Sequence, residues 1–264
     1  MGKISDAIEK SKMEKAIKAD PLPIGRDHPP PARELMPQGR YNPKLVVLSG
    51  EGSFEAENFK VMRAQILFPK NGIRRRIIMV TSVFPGEGKT FVAANLAVSI
   101  AQGINEHVLL VDCDFRRPHL HTMLGYSNVA GLHELLTEKK ELPDLLIKTG
   151  IDKLSLLPAG SPSKNPSELL SSKEMKEFLI NVRERYDDRF IIVDAAPIQV
   201  TSEAGVLSNY VDGVLFVVMA GKTPREAIQK SIEKVGREKI IGIVFNGYEQ
   251  SFKRYGYYYK NYYK

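Results

Sequence analysis

Three sets of residues in this chain have types and spacings suited to acting on a phosphoryl group. The first is a glycine-punctuated turn, Val83-Phe84-Pro85-Gly86-Glu87-Gly88-Lys89-Thr90, between an apolar run and a helical pattern. Backbone amides of such a turn, with a helix N-terminus behind them, cradle phosphates; the lysine reaches the β/γ oxygens and the hydroxyl ligates Mg²⁺. Gly86, Glu87, Gly88, Lys89, Thr90 and Phe91 are the expected nucleotide contacts here. The strict pattern has glycine six residues before the lysine; this chain has Val83, and Gly86 and Gly88 supply the tight turn. The second set is acidic. Asp112 and Asp114 end the run Val108-Leu109-Leu110-Val111, and Asp194 ends Phe190-Ile191-Ile192-Val193. Alternation along a strand sends Asp112 and Asp114 to one side. Carboxylates beside a triphosphate hold Mg²⁺ or its waters, or accept a proton. The expected metal ligands are Thr90, Asp112 and Asp194; the expected catalytic residues are Lys89, Asp112, Asp114 and Asp194.

The third set closes the chain. Of 11 tyrosines, Tyr255, Tyr257, Tyr258, Tyr259, Tyr262 and Tyr263 fall in the last ten residues, where composition alone predicts about 0.4. Lys253, Arg254, Lys260 and Lys264 are interleaved with them, and no acidic residue follows Glu249. A phosphoryl-donor site and a run of phosphoryl acceptors in one chain imply a kinase that modifies itself. There is no Asn-Lys-x-Asp element for reading guanine, and Asn246 ends the last apolar run where it can hydrogen-bond an adenine edge. ATP is therefore expected over GTP.

These groups must be positioned by an alternation of strand and helix. Strands are expected at Arg76–Ser82, His107–Cys113, Leu154–Pro158, Phe190–Asp194, Gly213–Ala220 and Ile240–Phe245. All are continuous apolar runs, the kind buried on both faces of a parallel sheet. Helices are expected at Phe54–Phe68, Lys89–Gln102, Ser167–Tyr186 (with room for a break) and Pro224–Val235. The fold class is α/β, a doubly wound and mostly parallel sheet with its site at the carboxyl ends of the strands. Residues 42–248 form the expected catalytic domain and residues 249–264 the tyrosine-rich tail. Residues 1–41 combine an amphipathic segment (Ile4, Ile8, Met13, Ile17) with a linker rich in proline from Pro21 to Pro37.

A chain of 264 residues that is 43% hydrophobic and 26% charged has room for one large globular domain. No apolar run approaches the roughly 18 residues of a membrane span, and the N-terminus has no apolar signal core. The single cysteine, Cys113, excludes an intramolecular disulfide and fits a reducing cytosol. A cytoplasmic chain is expected, meeting membranes peripherally or through a partner. The net charge of +7 is read mainly as a basic solvated surface, and no nucleic-acid partner is expected. A basic, tyrosine-rich tail also suits single strands, but that leaves the P-loop unexplained.

With these residues in view, the chain resembles the bacterial protein-tyrosine kinases of capsular and exopolysaccharide assembly, built on the deviant P-loop fold of the partitioning ATPases. The likeness covers roughly residues 51–264 and rests on Val83–Thr90, Val108–Pro118, Ile191–Pro197, Leu157–Leu170, Asp212–Thr223 and the tyrosine tail. It implies ATP and Mg²⁺ as cofactors, Arg116 as a nucleotide contact, and tail phosphorylation between subunits of a homo-oligomeric ring. It also implies a separate membrane-bound chain-length-determinant protein as activator, recruitment through it to the inner face of the membrane, and a cognate tyrosine phosphatase. The family's self-assembly helix carries Glu-x-x-Arg-x-x-Arg, matched here by Glu57, Lys60 and Arg63 on one helix face. Lys60 keeps the charge without the guanidinium fork. Phe84 stands where the partitioning ATPases have lysine, which favours the kinase branch; the alternative is a partitioning or positioning ATPase whose output is dimerisation. Six phosphotyrosines would add roughly −9 to −12 charges, enough to reverse the sign of the chain and loosen a ring.

Overall fold

The computed structural model describes residues 41–50, 52–185 and 188–248. The expected amphipathic segment, the proline-rich linker up to residue 40 and the tail tyrosines lie outside them. In chain order, α1 (Val46–Ser49) and α2 (Phe54–Leu67) lead into β1 (Ile77–Ser82), α3 (Lys89–Ala101) and β2 (His107–Asp112). Then follow α4 (Leu120–Met123), α5 (Leu132–Thr137), α6 (Leu142–Leu145), β3 (Ile147–Lys148), β4 (Leu154–Leu157), α7 (Pro166–Leu170) and α8 (Lys173–Arg185). The last elements are β5 (Arg189–Asp194), α9 (Glu203–Leu207), β6 (Gly213–Met219), α10 (Arg225–Val235) and β7 (Ile240–Asn246).

The seven strands form one sheet in the order β3-β4-β2-β5-β1-β6-β7. Every neighbouring pair is parallel except β3 and β4. Alternate residues of the central strands feed two cores. Ile77, Met79, Leu109, Val111, Ile191 and Val193 pack with Met175 and Phe178 of α8 and Val235 of α10. Ile78, Val80, Leu110, Phe190 and Ile192 pack with Val92, Leu96 and Ile100 of α3 on the other face. This two-sided burial is why the strands read as unbroken apolar runs.

Two features of the topology build the site. β5 lies beside β1, so the loop leaving Ser82 opens next to Asp194. Asp112 and Asp194 are direct register partners across β2 and β5, which sets their carboxylates side by side. α3 is buried from Val92 to Ala101, and α2 lies over it: Phe59 and Phe91 meet edge-on at 5.8 Å, and Arg63 Nη1 donates to Ser99 O at 2.7 Å. α2 begins where the Ser53 hydroxyl accepts from Ala56 N–H at 3.1 Å, with Glu55 and Glu57 in the first turn.

The helix expected over Ser167–Tyr186 is two helices, α7 and α8, separated at Ser171 and Ser172. The Ser172 hydroxyl accepts from Met175 N–H at 3.1 Å, so a side chain that competes with the helical ladder starts the second helix. No helix among the described residues is long and apolar enough to cross a membrane.

Candidate active site

The P-loop depends on two left-handed glycines, Gly86 at φ 84° and Gly88 at φ 93°. A side chain at residue 88 would also collide with the Asn246 amide. The loop is held from outside. The buried Glu87 carboxylate accepts from Phe84 N–H at 2.8 Å and from the Thr223 hydroxyl, and Asn246 Nδ2 donates to Glu87 O at 2.8 Å. Helical bonding begins with Val92 N–H to Gly88 O at 2.9 Å, so the amides of Lys89, Thr90 and Phe91 precede the ladder and face the mouth of the loop. Of the expected nucleotide contacts, Gly86, Gly88, Lys89 and Thr90 form this cradle. The side chains of Glu87 and Asn246 are engaged with the loop itself, and the Phe91 ring packs against Phe59.

Behind the loop the carboxylates crowd one ammonium. Lys89 Nζ lies 2.7 Å from Asp114 Oδ2 and 3.4 Å from Asp194 Oδ1. The Thr90 hydroxyl donates to Asp194 Oδ2 at 2.6 Å. Asp112 accepts from Asp114 N–H at 3.1 Å and Leu120 N–H at 3.2 Å. Burial, and next the charge of Asp194, push the Asp112 carboxyl up to about 8. Burial likewise raises Asp194. Burial alone would lower Lys89, but Asp194, Asp114 and Asp112 outweigh it and hold the ammonium well above its ordinary value. Cys113, buried among them, has its thiol pushed up by burial first and by Asp112 second, and is no nucleophile.

Three carboxyl groups share one ammonium, and a divalent metal would favour the ionised forms of Asp112 and Asp194. A hydroxyl and a carboxylate already touch at Thr90 and Asp194, so these residues fit the group. Among the described residues no set of three or more His, Cys, Asp or Glu converges as a metal cage.

The other expected residues fall nearby. Arg116 Nε donates to Glu203 Oε1 at 2.9 Å. Glu57 and Lys60 pair within α2 at 2.6 Å, and Arg63 is anchored on α3. Three side chains escaped sequence reasoning: Thr223, Glu203 and Glu134. Of these, Glu134 alone had a local signal, the spacing Gly131-x-x-Glu134 of a helix start. Its buried carboxylate accepts from Gly131 N–H at 2.6 Å and Ser161 N–H at 3.0 Å. It thereby ties α5 to the loop after β4, where Gly160 at φ 84° leaves no room for a side chain. Replacing Glu134 by alanine strands two amides and is expected to cost about 2–4 kcal/mol, read as a melting midpoint lowered by roughly 5–15 °C. Burial opposes its ionisation, but the hydrogen bonds from Ser161 and Gly131 prevail and hold it below the ordinary range. Its contribution is therefore complete above a pH of about 4.3 and is lost as pH falls through the lower folded value. The gap between wild type and Glu134→Ala narrows in acid.

Residues 75–237 match the family described as AAA domain. Over 222 residues the chain is 35% identical to tyrosine-protein kinase YwqD of Bacillus subtilis (strain 168), covering 83% of this chain and 92% of that relative. The chain belongs to the bacterial tyrosine-protein kinases. A second member, wzc of Salmonella typhimurium (strain LT2), is 30% identical over 220 residues, which span 81% of this chain and 30% of that longer protein. The kinase domain of Escherichia coli tyrosine kinase ETK has the same fold, with a TM-score of 0.70 at 27% identity, covering 81% of this chain and 87% of that one. The fold of this kinase is that of a P-loop enzyme and implies nucleotide binding with a divalent metal.

Proposed function

We propose that this kinase uses ATP and Mg²⁺ to phosphorylate its own tail at Tyr255, Tyr257, Tyr258, Tyr259, Tyr262 and Tyr263, between subunits, and so governs capsule or exopolysaccharide polymerisation and export. The observation that carries the reading is Lys89 poised between Asp114 and Asp194 behind the P-loop, in a chain that ends in six clustered tyrosines.

Bound Mg²⁺ supplies charge neutralisation at the phosphates and a fixed orientation for them. Thr90, Asp194 and Asp112 are the residues to hold it. The amides at the start of α3 hold phosphate oxygens, and Lys89 exchanges its carboxylate contact for the γ-phosphoryl. Asp112 or Asp114 orients the tyrosine and takes its proton. The phenol oxygen bonds to the γ-phosphorus as the bridging oxygen leaves with ADP; in a loose transition state the phenol proton can depart late. Tyr255 lies eight positions beyond Gly247, a reach of roughly 26 Å when extended, enough for a neighbour's site. Glu57, Lys60 and Arg63 are the proposed ring contacts, which requires exchanging their present partners within the subunit. The chain works in the cytoplasm, recruited to the inner membrane face by a separate membrane-bound activator and reset by a tyrosine phosphatase.

The test is mass spectrometry of the C-terminal peptide after incubation with ATP and Mg²⁺. Phosphate on Tyr255 to Tyr263 is expected. An unmodified tail with intact ATP hydrolysis would overturn the reading in favour of a partitioning-type switch.

A further inference from the structure

One ion pair outside the acidic cluster joins the strand ends that carry the carboxylates. Arg117 N–H donates to Asp114 Oδ1 at 3.1 Å, closing a turn that has Arg116 at its crest. From there Arg116 Nε–H reaches Glu203 Oε1 at 2.9 Å. Glu203 opens α9 beyond Asp194, on a segment fixed to the start of the P-loop: Ile198 N–H donates to Ser82 O at 2.9 Å and Gln199 N–H to Val83 O at 3.2 Å. Arg116 and Glu203 therefore bridge the loop that carries Asp114 and the segment that follows Asp194.

The two partners are unequally buried. The Glu203 side chain is 1% exposed and that of Arg116 is 56% exposed. Glu203 Oε2 is buried and has no hydrogen-bond partner among the described residues. A pair that served stability alone would use that oxygen in a two-pronged fork with the guanidinium; leaving it bare is costly. The single Nε contact instead fixes the guanidinium by one edge, on a largely exposed side chain two residues after Asp114.

We propose that Glu203 is a positioning residue for phosphoryl transfer. It pins Arg116 by Nε so that the terminal nitrogens meet the phosphoryl group in transit to tyrosine. This rests on the kinase reading above and on Arg116 as a phosphate contact. A planar guanidinium suits charge spread over equatorial phosphoryl oxygens, and a freely rotating one does not stay there.

The experiment is a double-mutant cycle on tail phosphorylation by the full chain, with kcat, KM for ATP and melting midpoint measured for each variant. Glu203→Ala is expected to lower kcat about tenfold with KM for ATP within about threefold. Arg116→Ala should lower it at least as much, and adding Glu203→Ala to Arg116→Ala should change kcat by less than about twofold. Glu203→Gln keeps a carbonyl oxygen opposite the Nε–H and should recover most of the rate; it also serves if the alanine variant does not fold. A Glu203→Ala loss that persists in full without Arg116 would overturn the proposal, because Glu203 would then act through the fold. Wild-type kcat in either single alanine variant, or a Glu203→Gln protein as slow as Arg116→Ala, would overturn it too. The kinase reading fails differently, through a wild-type tail that takes no phosphate.

Discussion

Lys89→Met is expected to slow tail phosphorylation about 10³-fold. Among the described residues the lysine is the one ammonium among Asp112, Asp114 and Asp194, at 2.7 Å from Asp114 and 3.4 Å from Asp194. Methionine keeps the unbranched stem and its packing, so the change isolates the charge. Without it the γ-phosphoryl would meet carboxylates with no fixed cation between them. The fold should survive, because buried carboxyls that lose a counter-ion take up protons. Survival should depend on pH. Asp112 is already raised to about 8, far above its unfolded value, so stability falls as pH rises towards 8. Removing the ammonium deepens that fall. Phosphotyrosine formation and thermal melts at pH 6 and pH 8 check both halves; a variant that phosphorylates at the wild-type rate would remove Lys89 from the chemistry.

Asp194→Asn should separate stability from activity. Its phosphorylation rate is expected to drop at least about 10²-fold, because the carboxylate proposed to face the metal becomes an amide. The metal-free protein should nevertheless melt a few degrees higher, since burying fewer like charges is cheaper. Asparagine fits the local bonds. Its oxygen can face Lys89, and its amide can donate to the Thr90 hydroxyl that now donates to Asp194. The gain should be larger at pH 8 than at pH 6, because burial raises Asp194 and the strain it relieves grows as the pair ionises. A lower melting midpoint at both pH values would show that Asp194 stabilises the empty site.

The central strands and α3 were legible because their signals are local. β1, β2 and β5 are apolar runs ending in a glycine turn or an aspartate, and α3 follows the turn directly. The register that sets Asp112 opposite Asp194 has no such signal, since strands far apart in the chain are paired by the whole sheet. The same holds for Glu87 with Thr223 and Glu134 with Ser161, whose bonds span 136 and 27 residues. Helices of four to six residues between β2 and β3 are too short to complete a hydrophobic period. The break between α7 and α8 turns on two serines whose effect depends on where their hydroxyls find partners.

The place where β7 ends has a kinetic consequence. Asn246 is bonded to the P-loop at Glu87 O, and Gly247, at φ 67°, turns the chain away directly beside it. Everything downstream is leashed there. On the proposed reading, tyrosines tethered a few residues from the site meet it at a local concentration of order millimolar. A protein substrate diffusing at micromolar levels then starts about a thousandfold behind the tail. If the tail is the substrate proposed above, such a protein gains access mainly once the tail tyrosines are filled or held elsewhere, and tail occupancy gates every other substrate.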